Sequence, residues 1–229
     1  FMLLSMKHCA DGFVAWKRRR TTDPSQLSVG RLRSAVRPLM DTTQLLDLLL
    51  HGNQLRRTAR TGWVQRGVPL PENVAAHSYG VVVATLLLAE LVEPPIDLAA
   101  ALAMAALHDL PEGLTTDIPT PAWRFLPTGA KTAAERAAMT TIAGATPTGA
   151  RLLAWWEELL LNETPEARLV HDADKLDQYL QAWVYEQQTA NRQLEEFWVV
   201  AHRFHYPQAQ AVYDEIRRRR AAASEPGAQ

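Results

Sequence analysis

"VAAHSYGVVVATLLLAELVEPPIDLAAALAMAALHDLPEG", residues 74–113, holds two apolar runs on either side of Pro94–Pro95. Within each run apolar residues recur at three and four, the period of a helix with a buried face. Asn73 is placed to cap the first helix, over 74–92, and Pro111 stops the second, over 96–110. The diproline reads as a tight connection, so the two helices should pack antiparallel. Seventeen residues separate His77 from Pro94 and fourteen separate Pro94 from His108. Those near-equal heights bring His77, at the start of one helix, beside His108 and Asp109, at the end of the other.

The chain on both sides keeps the helical period. "PLMDTTQLLDLLLHGNQLRRT" (38–58) starts a helix with Asp41 or Thr42 as its cap, and 59–73 is a loop with two glycines and two prolines. Residues 111–130 form an irregular Pro/Gly/Thr-rich loop, long enough to suggest a functional segment. Helices follow over 131–143, 148–161 and 165–189, and one or two more over 191–222. Nothing reads as a strand series. The expectation is a single all-α domain over 38–222, a basic arm over 1–37 and a frayed tail over 223–229.

The 229 residues are 47% hydrophobic, enough for one sizeable core. The net charge of −1 hides an asymmetry: the arm carries +6 and the rest about −7. A basic arm can serve nucleic acid or a membrane, but beside an acidic body it reads as a solvated tail. No nucleic-acid polymer or membrane is expected as a partner. Cys9 is the single cysteine, which excludes an intrachain disulfide framework or an all-thiolate zinc site and fits a reducing, cytoplasmic compartment. No run approaches ~18 uncharged apolar residues, so no transmembrane helix is expected.

Among the seven histidines, His51 lies near a helix end, and His202 and His205 in "VVAHRFHYPQ" suit a polar helix face or a helix end. His77, His108 and Asp109 differ because they converge. Two imidazoles and a carboxylate suit a divalent metal; a buried histidine bonded to a neighbouring carboxylate is the other reading. Adjacent helical residues diverge by about 100°, so His108 and Asp109 share an ion only if it sits between their directions. "VHDADKLDQYLQAWVYE" (170–186) adds acids at the start of a helix. Asp174 is the one best placed to point inward, Asp172 suits helix capping, and Asp177 suits a salt link or solvent.

The order His…His-Asp…Asp resembles the HD-domain metal-dependent phosphohydrolases. "LRRTARTGWVQRGVPLPENVAAHSY", "ALHDLPEGLTTDI" and "VHDADKLDQYLQAWVYE" are similar to its 5′-deoxynucleotidase branch, over roughly residues 40–190. The resemblance implies an HD-domain helical bundle, usually dimeric, with His77, His108, Asp109 and Asp174 as metal ligands. It implies Glu112 as acid/base or water-orienting residue, Asp117 near the sugar's 3′ side or the leaving group, Arg60 on phosphate and Trp63 shaping the sugar and base pocket. Arg66 and Lys131 are further candidate phosphate contacts. Ala76, Ala133 and Ala134 stand where the family often carries charge, which leaves base and sugar preference open.

The implied reaction is hydrolysis of a (deoxy)nucleoside 5′-monophosphate, ordinary or modified in base or sugar, by an enzyme using Co, Mn, Mg, Fe or Zn as its divalent ion. The same ligands would serve an HD-type phosphodiesterase or another nucleotide phosphohydrolase, and a non-catalytic helical protein could keep them for stability alone.

Overall fold

A computed structural model describes residues 41–224. The expected arm at 1–37 lies outside the described residues, as does the expected tail from residue 225 onward. The described segment is all-α: its one strand-type contact is an isolated antiparallel bridge between Ala59 and Asn73. Seven helices of ten residues or more carry it: α1 (Thr42–Gln54), α2 (Val74–Ala89), α3 (Leu98–Leu107), α4 (Ala130–Ala143), α5 (Pro147–Leu161), α6 (Pro165–Thr189) and α7 (Pro207–Ser224).

The helix ends follow from local chemistry. Asp41 closes a capping box on α1, accepting from the Thr43 N–H while the Gln44 side chain accepts from the Asp41 N–H. Asn73 caps α2 and Asp97 caps α3. Thr146 and Thr164 cap α5 and α6, each followed by a proline in the first turn, where its missing N–H costs nothing. Three expected boundaries move inward: α2 ends at Ala89, and α3 starts at Leu98 and ends at Leu107. The loop expected over 59–73 contains a short helix, Thr61–Gln65, and the one over 111–130 contains two, Glu112–Thr115 and Thr120–Trp123. Helices of four or five residues are too short to leave a periodic signature.

The longest helix, α6, is the spine. It packs against α2, α3, α5 and α7, while α2 also packs along α3 and α4 lies on α5. Ala101, Met104 and Ala105 of α3, Val81 of α2 and Ala173 of α6 are fully buried. The alanines let backbones approach closely, which is how the apolar hairpin becomes the wall of the site. Truncating fully packed Met104 to alanine is worth about 2–5 kcal/mol. A second cluster, built on Val74, Leu110, Met139, Ile142 and Trp156, supports the far side. The turn between α4 and α5 is tight: a Cβ on Gly149 would lie 1.7 Å from the Ala143 carbonyl oxygen.

Asp172 does serve a helix N-terminus, but that of α7 rather than its own. Its carboxylate accepts from the His205 and Tyr206 N–H groups at 3.0 and 2.8 Å, just ahead of Pro207, and lies 2.8 Å from His205 Nδ1. His205 therefore marks a helix end, one of the roles its sequence context suggested.

Candidate metal centre and cleft

Three segments converge, two from the hairpin and one from α6. His77 sits in the first turn of α2, His108 and Asp109 directly after α3, and Asp174 in α6. Because α3 ends at Leu107, Asp109 lies in a turn rather than on a continuing helix. The two adjacent side chains nevertheless converge, with Asp109 Oδ2 within reach of His108 Nε2.

His77 is fully buried. Its Nδ1 lies 2.7 Å from Asp177 Oδ2, and a carboxylate there can only accept, so Nδ1 carries the proton. His108 Nδ1 likewise donates to the Ala105 carbonyl at 2.8 Å. The Trp156 indole N–H holds the His108 carbonyl at 3.2 Å. Both Nε2 atoms then face inward, 3.2 Å from each other. Asp109 Oδ2 stands 3.2 Å from His108 Nε2 and 3.6 Å from His77 Nε2, and Asp174 Oδ1 stands 3.2 Å from His77 Nε2. His77, His108 and Asp109 offer ligand atoms within 4.8 Å of one another. Two imidazole lone pairs and two carboxylates aimed at one point form a set of acceptors that a cation or a proton must satisfy. These residues fit a divalent ion.

The electrostatics carry the same message. Burial opposes charge on His77, but the hydrogen bonds to Asp174 and Asp177 raise its pKa to about 10. Burial also disfavours the charged form of Asp109, yet His108 and Arg60 hold its carboxyl well below the usual range. Asp174 is held low against burial by Lys175 and His77.

Beside the cluster opens a cleft of about 180 Å³. Arg60, Trp63, Arg66, Asp109, Glu112, Asp117, Lys131 and Asp174 all line it, so each of these expected site residues reaches one cavity. Their engagements differ. Arg60 Nη1 lies 3.3 Å from Asp109 Oδ2. Trp63 is only 2% exposed, with its indole N–H donated to Glu72 Oε1 at 2.9 Å and its ring against Tyr185 and Phe197. It is a wall held from behind. Arg66 pairs with Glu196, donates to the Gly62 carbonyl at 2.7 Å and stacks over Phe197. Lys131 pairs with Glu135 and sits 5.2 Å from the Trp123 ring centroid. Asp117 Oδ2 accepts from the Thr61 N–H at 2.6 Å, and its carbonyl accepts from the Thr61 hydroxyl, which ties the loop after α3 to the start of the Thr61–Gln65 helix.

Glu112 stands apart. It is 4% exposed, and its buried Oε2 has no hydrogen-bond partner. Burial, with the charges of Asp109 and Asp117, raises its pKa to about 9. A carboxyl that keeps its proton at neutral pH lies at the edge of the cluster.

Trp123, Lys175, Gln178 and Phe197 also line the cleft, and the sequence did not place them there. Gln178 lies one turn after Asp174 on the same helix face, a spacing that could have flagged it. Trp123 and Phe197 gave no signal, because they arrive through a short loop helix and a segment remote in sequence.

Comparison with known proteins agrees with this geometry. Residues 52–213 match the family model described as the HD domain. The 5′-deoxynucleotidase HDDC2 of Danio rerio is 31% identical over 181 residues, covering 77% of this chain and 88% of its own. That of Homo sapiens is 32% identical over 191 residues, covering 80% and 91%. A solved structure of a conserved hypothetical protein from Pyrococcus furiosus superposes with a TM-score of 0.66 at 37% identity, over 76% of this chain and 99% of that one. With its two histidines, its acids and its helical frame, the chain belongs to the HD-domain family, in the branch of these 5′-deoxynucleotidase relatives.

Proposed function

We propose that this protein is a metal-dependent phosphomonoesterase that converts (deoxy)nucleoside 5′-monophosphates, ordinary or modified, to nucleoside and phosphate. The observation that carries the reading is Glu112: a buried carboxyl whose Oε2 has no partner, lining with Asp109 and Asp174 a cleft bordered by Arg60 and Lys131. The relatives' activity and the aromatic walls of Trp63, Trp123 and Phe197 support a nucleotide as the phosphate ester.

His77, His108, Asp109 and Asp174 would hold the ion, which when bound lowers the pKa of a water and offsets phosphate charge. Arg60 offers a planar fork to phosphate oxygens. Lys131 and Arg66 add positive charge along the cleft, and Asp117 fixes the loop that carries Glu112. Water supplies the new P–O bond, the P–O5′ bond breaks, and the 5′ oxygen leaves as the nucleoside hydroxyl. Glu112 holds the proton that this exchange moves. The enzyme works as a cytoplasmic homodimer on a small-molecule substrate. No helix among the described residues is long and apolar enough to cross a membrane.

The test is phosphate release from a panel of ribo-, deoxy- and sugar-modified 5′-monophosphates, after metal removal and re-addition of each candidate ion. Release from at least one substrate must depend on metal; no metal-dependent release from any refutes the enzyme reading. Glu112→Ala should keep its metal and lose roughly 10²–10⁴-fold in kcat. Sedimentation of the full chain tests the dimer.

A further inference from the structure

We propose that Asp177 is the positioning residue of the metal centre, and that Gly80 exists in α2 to admit it. The inference rests on the metal reading above and concerns residues that reading does not use.

His77 has one ring nitrogen for the cluster and one for something else. The other, Nδ1, is 2.7 Å from Asp177 Oδ2. His108 is oriented by a backbone carbonyl instead, so the two imidazoles are held by different means. A carboxylate behind a ligating imidazole fixes ring and tautomer and makes the far nitrogen a stronger donor to the ion. A carbonyl fixes the tautomer with no charge. Asp177 thus sets the better donor of the pair.

The second observation is independent. Gly80 is the seventh residue of the sixteen-residue helix α2, a position with no turn to make. Glycine is unfavourable there, so its presence needs a reason. A Cβ at Gly80 would lie 2.0 Å from Asp177 Oδ1 and 2.7 Å from its Cγ. The carboxylate fills the volume that any side chain at position 80 would take. Thus α2 supplies both the imidazole, at His77, and the gap through which α6 reaches it. The site also opens outward: Gly80 and Asp177 border an apolar groove lined by Tyr79, Leu87 and Trp183, away from the substrate cleft.

The experiment is a calorimetric Co²⁺ titration of the metal-stripped full chain and four variants: D177A, D177N, G80A and G80A/D177A. D177A should bind Co²⁺ about 10–100-fold more weakly, the range for lost outer-sphere partners. D177N should recover part of that loss, because its amide oxygen still accepts from Nδ1–H. G80A should still fold without metal, since alanine's better helix propensity offsets part of the cost of the lost His77 hydrogen bond, and it should lose affinity, because its methyl displaces the carboxylate. In the double variant G80A should add nothing to D177A. Co²⁺ affinities for D177A and G80A within about twofold of the parent overturn the proposal, since lost partners cost tenfold or more. Should D177A not fold, the affinity of G80A alone decides between these outcomes. A parent chain that takes no Co²⁺ refutes the metal reading itself, which is a different result.

Discussion

Replacing Asp172 by asparagine tests how α7 is held. The Asp172 carboxylate is 1% exposed, so water cannot substitute for it. It accepts from two backbone N–H groups and lies within reach of the His205 imidazole. Asparagine keeps the shape but turns one oxygen into an NH2 group. Whichever way the amide faces, at least one of these N–H donors then meets a donor. Each bond to a charged acceptor contributes about 1.5–3 kcal/mol, and an orphaned buried donor costs about 1–3 kcal/mol. Relief from burying a charge offsets part of this, which leaves a loss of about 3 kcal/mol. For a chain of this size that lowers the thermal midpoint by roughly 6–12 °C. Urea unfolding followed by far-UV circular dichroism should show a lower midpoint at unchanged slope. D172L, which satisfies none of the donors, should lose more. A D172N variant within about 0.5 kcal/mol of the parent, the ordinary range for a surface change, would refute the clamp.

Saturating metal should stabilise the folded chain: at a hundredfold excess over Kd the gain is about 2.7 kcal/mol. A thermal melt should show it, chelator should reverse it, and His77→Ala should abolish it. Gly149→Ala should cost ~3 kcal/mol or more, because the new methyl collides with the Ala143 carbonyl rather than with a flexible side chain; denaturant titration measures it. Alkaline unfolding should report Tyr179, whose pKa is pushed up to about 12 by burial and by Tyr213. Between the ordinary ~10 and that value the unfolded chain has lost the proton and the folded one has not. Stability therefore falls as pH rises through this window, by up to about 1.4 kcal/mol per pH unit. Tyr179→Phe should flatten that alkaline slope in urea midpoints taken across the window.

What the sequence made legible follows from the range of each interaction. The helices were readable because capping and apolar period are local: Asn73, Thr164 and Pro165 announce their helix ends within a few residues. The meeting of His77 with His108 and Asp109 was readable because one short connection fixes the hairpin. Asp177 was visible only as an acid on a helix, since the gap that receives it belongs to Gly80, 97 positions earlier in the chain. Arg66 reads as a candidate phosphate contact, and its pairing with Glu196, 130 residues away, left no local signal. Asp172 announced a capping role, but which helix it caps depends on where α7 returns.

Asp172, Asp174 and Asp177 occupy less than two turns of α6: Asp172 meets the segment ahead of α7, while Asp174 and Asp177 meet opposite ring nitrogens of His77. At about 100° per residue, Asp174 and Asp177 point within about 60° of each other, and Asp172 points well away from both. The three acids therefore act on the helix as keys act on a shaft. Apolar packing alone would tolerate some rolling of a long helix, or a slip of one turn, about 5.4 Å. Such a movement would pull Asp172 from α7 and both other acids from His77 together. The charges fix the angular and axial setting of the spine, while the apolar faces supply the force that seats it.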